Sequence, residues 1–174
     1  MALEIRTAAE LHDLGLPRSW TERIERRDTR HDAVLHQVWQ QFLDHGGPLM
    51  ISDIEGAIPD GTSGAVRASL KGLDEADLLL IEDDVVQLAY PFTTGPNAFG
   101  VEVTPGTMRY TCCALDALGI APMLGQSVTI RSRCHHCGEP LVIEAGADGP
   151  RSLHDAMVWV APRDTCAARV ASGL

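Results

Sequence analysis

Tyr110-Thr111-Cys112-Cys113-Ala114-Leu115-Asp116-Ala117-Leu118 sets two adjacent thiols and a carboxylate at the mouth of a short apolar helix. With a helix starting near Thr111, Cys113 and Asp116 stand three residues apart and share one face. A cysteine in a first helical turn feels the partial positive charge of unpaired backbone N–H groups, which predicts a lowered pKa and thiolate character. A soft thiolate beside a carboxylate that can carry a proton suits soft-metal chemistry or nucleophilic catalysis. The same spacing also fits small buried cysteines packing a helix start, with Asp116 as a capping or solvated residue.

Around this stretch, strands are expected over 99–103, 128–133, 140–144 and 157–160, with a loop over 145–150. Strands punctuated by one short helix predict a small, mainly antiparallel or mixed sheet. Upstream, Val34, Leu35, Val38, Trp39, Phe42 and Leu43 form one apolar stripe, which predicts a helix over 32–44. His45-Gly46-Gly47-Pro48 ends it, with glycine where a left-handed cap belongs. Ser52 and Glu55 read as a capping box for a helix over 53–58, and a third helix is expected over 63–77 with Val66, Leu70 and Leu73 inward. Residues 78–81 and 85–90 then flank the acidic turn Glu82-Asp83-Asp84 as a hairpin. Three helices and a hairpin describe a winged-helix-like module over 32–91, preceded by a helical arm over 1–31. A linker over 91–97 would join it to a second domain over 98–174. The expected class is α+β.

The run Tyr110 to Leu118, continued as Gly119-Ile120-Ala121-Pro122-Met123-Leu124-Gly125, resembles the signature of the alkylmercury (organomercurial) lyase family. In that family a Cys-Ala-Leu-Asp tetrapeptide opens a helix ending in a Pro-x-Leu-x-Gly turn. The strand Ser127 to Cys134 and the segment Ala156-Met157-Val158-Trp159-Val160-Ala161-Pro162 resemble the family as well. The resemblance spans about residues 32–162. It implies cleavage of a carbon–mercury bond, with mercury held by two cysteines while an acid protonates the carbon. By motif position, Cys113 would be the first thiolate and Asp116 the proton shuttle. The family's second catalytic cysteine lies in a Phe-Cys-x-x-Val-x-Phe-Phe segment that Arg163 to Leu174 does not match. Cys166 would then stand in for it, or Cys112, which occupies a place where the family often has tryptophan. The alternative is a non-catalytic metal- or thiol-binding sensor on the same fold.

The formal net charge of −10 disfavours partners bound through phosphates, so no nucleic acid is expected. The third helix offers only Arg67 and Lys71 against Asp74, Glu75 and Asp77. No apolar run approaches membrane-spanning length, and Met1 to Arg6 lacks a secretory pattern, so the expected location is cytoplasmic. Expected partners are a small organometallic substrate or soft metal ion and low-molecular-weight thiols, with a homodimer possible.

Five cysteines in such a chain point to reactive or metal-binding thiols. Cys134-His135-His136-Cys137-Gly138 has the shape of a zinc knuckle, whose turn aims two sulfurs at one ion. The metal-ligand candidates are therefore Cys112, Cys113, Cys134 and Cys137, with a possible zinc at Cys134 and Cys137. The lyase reading itself requires no cofactor. A simple turn with partly buried cysteines or a reversible dithiol at Cys134 and Cys137 also fits the spacing.

Overall fold

The computed structural model describes residues 32–58, 61–151 and 157–158. The expected arm over 1–31, Trp159 and Val160 of the expected last strand, and Cys166 lie outside the described residues. Met157 and Val158 carry no strand.

Helix α1 (Asp32–His45) buries Val34, Leu35, Val38 and Phe42, as its apolar stripe requires. Trp39 lies at the stripe's margin and donates its indole N–H to the Tyr90 carbonyl at 2.7 Å. Gly46 ends α1 at φ 78, a left-handed value that a side chain would strain, and its N–H returns to the Phe42 carbonyl at 2.9 Å. After the short strand β1 (Leu49–Met50) comes α2 (Ile51–Gly56), then α3 (Ser63–Glu75), which buries Val66, Leu70 and Leu73. The expected Ser52 capping box does not form. Helix α2 starts two residues earlier than expected, at Ile51, with Met50 as its uncapped N-terminus. Glu55 instead accepts the Ser63 hydroxyl at 2.6 Å and pairs with Arg67 at 2.8 Å, which stitches α2 to α3.

Strands β2 (Leu79–Glu82) and β3 (Val85–Ala89) form the expected hairpin. Asp83 and Asp84 both take positive φ, 50 and 62, which suits a two-residue turn between twisted strands. The segment read as a linker departs from expectation. Phe92 and Thr93 form β4 (Phe92–Thr93), bonded to β3 on one side and to β6 on the other. Strands β5 (Gly100–Thr104), β6 (Thr107–Thr111), β7 (Val128–Arg133), β8 (Pro140–Gly146) and β9 (Gly149–Pro150) complete the sheet. The stretch over 145–150, expected as a loop, is instead the tight β8–β9 hairpin.

Among the described residues the sheet has nine strands in the order β1-β3-β4-β6-β5-β7-β8-β9, with β2 on the free side of β3. Every pairing is antiparallel. The sheet is therefore larger than expected, because the N-terminal hairpin joins it through β4. Helix α4 (Ala114–Leu124) packs on β5 to β9 through Ala117, Ile120 and Ala121, three residues on one face. No helix among the described residues is long and apolar enough to cross a membrane.

Phe92 joins the helices to the sheet. Its ring stacks on Phe42 with centroids 6.1 Å apart, and both residues are about 1% exposed. Phe92→Ala is expected to cost about 3–5 kcal/mol through the cavity it leaves. Met50→Ala, at a position 48% exposed, should change stability by less than about 0.5 kcal/mol. Urea unfolding followed by tryptophan fluorescence measures both.

Candidate functional site

The site is built at the junction of β6 and α4. Strand β6 ends at Thr111, Cys112 follows, and Cys113 is the N-cap residue of α4 with extended backbone angles, φ −155 and ψ 177. The helix thus starts three residues later than the sequence suggested, because Tyr110 and Thr111 belong to a strand. That strand carries no clear alternation, since only Thr111 of its five residues is fully buried. The Pro105-Gly106 turn before it was the available sequence signal.

As an N-cap, Cys113 turns its sulfur back over the first turn. The Cys113 thiol donates to Asp116 Oδ2 at 3.0 Å, while the Asp116 backbone N–H reaches the sulfur at 3.5 Å. The N–H of Leu115 also points at the sulfur. Sequence reasoning placed these two side chains together, and here they are in direct contact.

The expected thiolate character is overturned. The Cys113 pKa is raised from 9.0 to about 11. Burial is the largest cause, because it disfavours the charged form. Asp116 adds to it, since a carboxylate repels a thiolate and its oxygen holds the S–H proton. The backbone N–H bonds from Asp116 and Leu115 pull the other way, as the helix-terminus argument requires, but they do not win. The resting pair is a neutral thiol hydrogen-bonded to a carboxylate.

Cys112 is not part of this pair. It is 7% exposed, packs in a separate small cluster with Leu88, Leu80 and Tyr90, and sends its S–H toward the Phe92 carbonyl at 3.5 Å. Strand alternation explains the split, since successive side chains at the end of β6 point to opposite faces.

Cys134 and Cys137 sit on the β7–β8 turn, half-buried and exposed respectively. Backbone N–H bonds from Cys137 and His136, and then the Cys137 side chain, hold the Cys134 pKa below the usual thiol range. Among the described residues, no group of three or more His, Cys, Asp or Glu side chains is arranged to hold a metal ion. Among those residues the knuckle presents two sulfurs. A groove of about 200 Å³ lies elsewhere, lined by Phe42, Phe92, Tyr110 and neighbours. At its rim the Tyr110 ring lies where a side chain at Gly95 would overlap it.

Residues 92–174 match the family model described as alkylmercury lyase. Alkylmercury lyases of Bacillus cereus and Clostridium butyricum are each 38% identical over 64 residues, which is 37% of this chain and 28% of each relative. The match thus spans little more than a quarter of those relatives. The crystal structure of the mercury-bound form of MerB2 is similar in fold, with a TM-score of 0.64 at 17% identity. That likeness covers 84% of this chain and 66% of the other.

Alkylation separates the two thiol environments. Carboxamidomethylation of Cys113, followed by peptide mass spectrometry, should speed up with pH until about 11, without a plateau near neutrality. Asp116→Asn removes the charge repulsion and leaves only a neutral amide oxygen as S–H acceptor, so the midpoint should fall. An unmoved midpoint would mean that burial alone sets it.

Proposed function

We propose, from the match of residues 92–174 to the alkylmercury lyase family model, that the chain cleaves the carbon–mercury bond of an organomercurial by protonolysis at Cys113 and Asp116. The observation that carries this reading is the 3.0 Å contact between the Cys113 thiol and the Asp116 carboxylate.

The chemistry follows the proton. When an organomercurial meets Cys113, a sulfur–mercury bond forms, the ligand it displaces leaves, and the thiol proton passes to Asp116. The substrate is a soft, thiophilic centre, so sulfur outcompetes oxygen for it. Asp116 is then a neutral acid placed one helical turn from the metal. It delivers its proton to the carbon, the carbon–mercury electron pair takes up that proton, and the hydrocarbon leaves. Mercury(II) remains on sulfur. A second thiolate stabilises the bound mercury, and Cys166 is the residue we assign to that role. Low-molecular-weight thiols then carry the ion away.

The raised Cys113 pKa fits this sequence of steps. A resident thiolate would leave no proton to store, whereas the neutral thiol brings the one proton that the cleavage consumes. We read α1 to α3 with the β2–β3 hairpin as a winged-helix-like platform for the sheet rather than a nucleic-acid reader. Arg67, on α3, is already engaged by Glu55 at 2.8 Å and Asp84 at 3.0 Å.

The test is hydrocarbon release from a model organomercurial under excess thiol, measured by gas chromatography. Cys113→Ser should abolish turnover. Asp116→Asn should slow it by about 10²- to 10⁴-fold, the usual worth of a placed general acid. Equal release by wild type and Cys113→Ser would sink the proposal. Tight mercury binding with no hydrocarbon released would instead identify a non-catalytic sensor or carrier.

A further inference from the structure

Cys134 and Cys137 are held in a turn closed by its own backbone. The Cys134 N–H donates to the Glu139 carbonyl at 2.8 Å, and the Gly138 N–H donates to the Cys134 carbonyl at 2.8 Å. Gly138 sits at φ 74, the left-handed value that lets the chain reverse there. The Cys137 side chain lies close enough to the Cys134 sulfur to help hold its pKa down, so the turn brings the two sulfurs near each other. Two donors preset in this way lose little freedom on chelating one ion.

The strand register puts this turn and Cys113 at the same end of the sheet. Gly100 of β5 faces Tyr110 of β6 on one side and Arg131 of β7 on the other. Both pairings are antiparallel, so β6 and β7 run in the same direction. Cys113 lies three residues beyond Tyr110, and Cys134 lies three beyond Arg131. Both thiol positions therefore leave the sheet at one end, two strand spacings apart, which is about 10 Å.

We propose that Cys134 and Cys137 form a second, dithiol site that takes the mercuric ion from Cys113. The proposal rests on the lyase reading above for the source of that ion. Two sulfurs complete the coordination of a mercuric ion, whereas tetrahedral zinc needs four ligands. Among the described residues this turn gathers no third or fourth donor into a metal-binding group. The transfer is ligand exchange without oxidation, and a low-molecular-weight thiol that takes the ion from Cys113 carries it over the distance of about 10 Å between the two sites. Each attacking thiol forms a sulfur–mercury bond as it gives up its proton, and each displaced sulfur takes one proton back. Two protons are released and two are bound, and Cys113 returns to its hydrogen bond with Asp116. A chelating pair also holds the ion against free monothiols, because its second sulfur competes at millimolar or higher effective concentration. The exposed Cys137 leaves the site open to solvent, so a second dithiol can collect the ion from it.

Mercuric chloride titration of the full chain carrying Cys113→Ser reads this site apart from carbon–mercury cleavage. That variant should retain one mercuric ion per chain against about a hundredfold excess of a monothiol. Adding Cys137→Ser should weaken retention by at least about tenfold. Cys137 is exposed, so the thermal unfolding midpoint should not move. Equal retention with and without Cys137 overturns the proposal, as does a Cys113→Ser chain that retains no mercury. Hydrocarbon release by the unaltered protein decides the lyase reading separately. A chain that releases hydrocarbon while its Cys113→Ser variant holds no ion refutes the dithiol site alone.

Discussion

Thr111 is the residue on which the placement of the thiol–carboxylate pair depends. It is fully buried, yet all its polar groups are engaged. Its N–H donates to the Phe99 carbonyl at 3.0 Å, and its carbonyl accepts the Asn97 amide at 2.9 Å. Its hydroxyl lies within 3.2 Å of the Phe99 carbonyl and 3.3 Å of the Cys113 carbonyl. The next N–H, of Cys112, donates to the Pro91 carbonyl at 3.1 Å. Three chain segments therefore meet at one point, and the backbone leaving it has one direction open. Buried polar groups left unpaired cost about 1–3 kcal/mol each, so this network strongly resists rearrangement. The orientation of Cys113 as the N-cap of α4 is a consequence.

The electrostatics of the pair show how two correct arguments can oppose each other. Helix-start N–H groups do point at the Cys113 sulfur and do favour a thiolate. Partial burial and the neighbouring carboxylate favour the thiol, and together they are larger. The helix-terminus effect is worth roughly 0.3–1 kcal/mol at exposed sites. The rise from 9.0 to about 11 shows that burial and the carboxylate outweigh that effect at Cys113. At Cys134 the balance is reversed. That sulfur lies in an open turn, with N–H bonds and little burial to oppose them. One chain thus holds two kinds of thiol, one kept protonated and one biased toward the thiolate.

What the sequence disclosed follows from where local rules suffice. The α1 stripe from Val34 to Phe42, the left-handed Gly46, the inward face of α3 and the Asp83-Asp84 turn are decided by a few neighbouring residues, and each was legible. So was the three-residue spacing of Cys113 and Asp116. Strand β4 was not, because two residues between Pro91 and Gly95 carry no periodicity. Their pairing with β3 and β6 is settled by Phe92 filling the space beside Phe42. Strand β6 was missed for a related reason. Its residues are nearly all half-buried, so alternation is absent, and the helix-forming run just after it drew the boundary forward. The Ser52 capping box failed through tertiary competition, since Glu55 has better partners in Ser63 and Arg67. The sign of the Cys113 shift needed burial, which no spacing reveals.

A neutral thiol against a carboxylate also sets what this site can bind. The pair carries one negative charge and one exchangeable proton. A soft cation that takes the sulfur displaces that proton, and the carboxylate an ångström-scale step away is its nearest acceptor. Charge is then redistributed within the pair rather than brought in from solvent, which lowers the cost of working in a half-buried cleft. The same arrangement selects among electrophiles. A reagent that needs a preformed thiolate finds little at neutral pH, whereas a thiophilic metal forms its bond by exchanging with the proton. Discrimination therefore arises from the proton that Asp116 and burial keep on Cys113. A more reactive, thiolate-like cysteine at this position would give up that discrimination together with the proton that the proposed cleavage consumes.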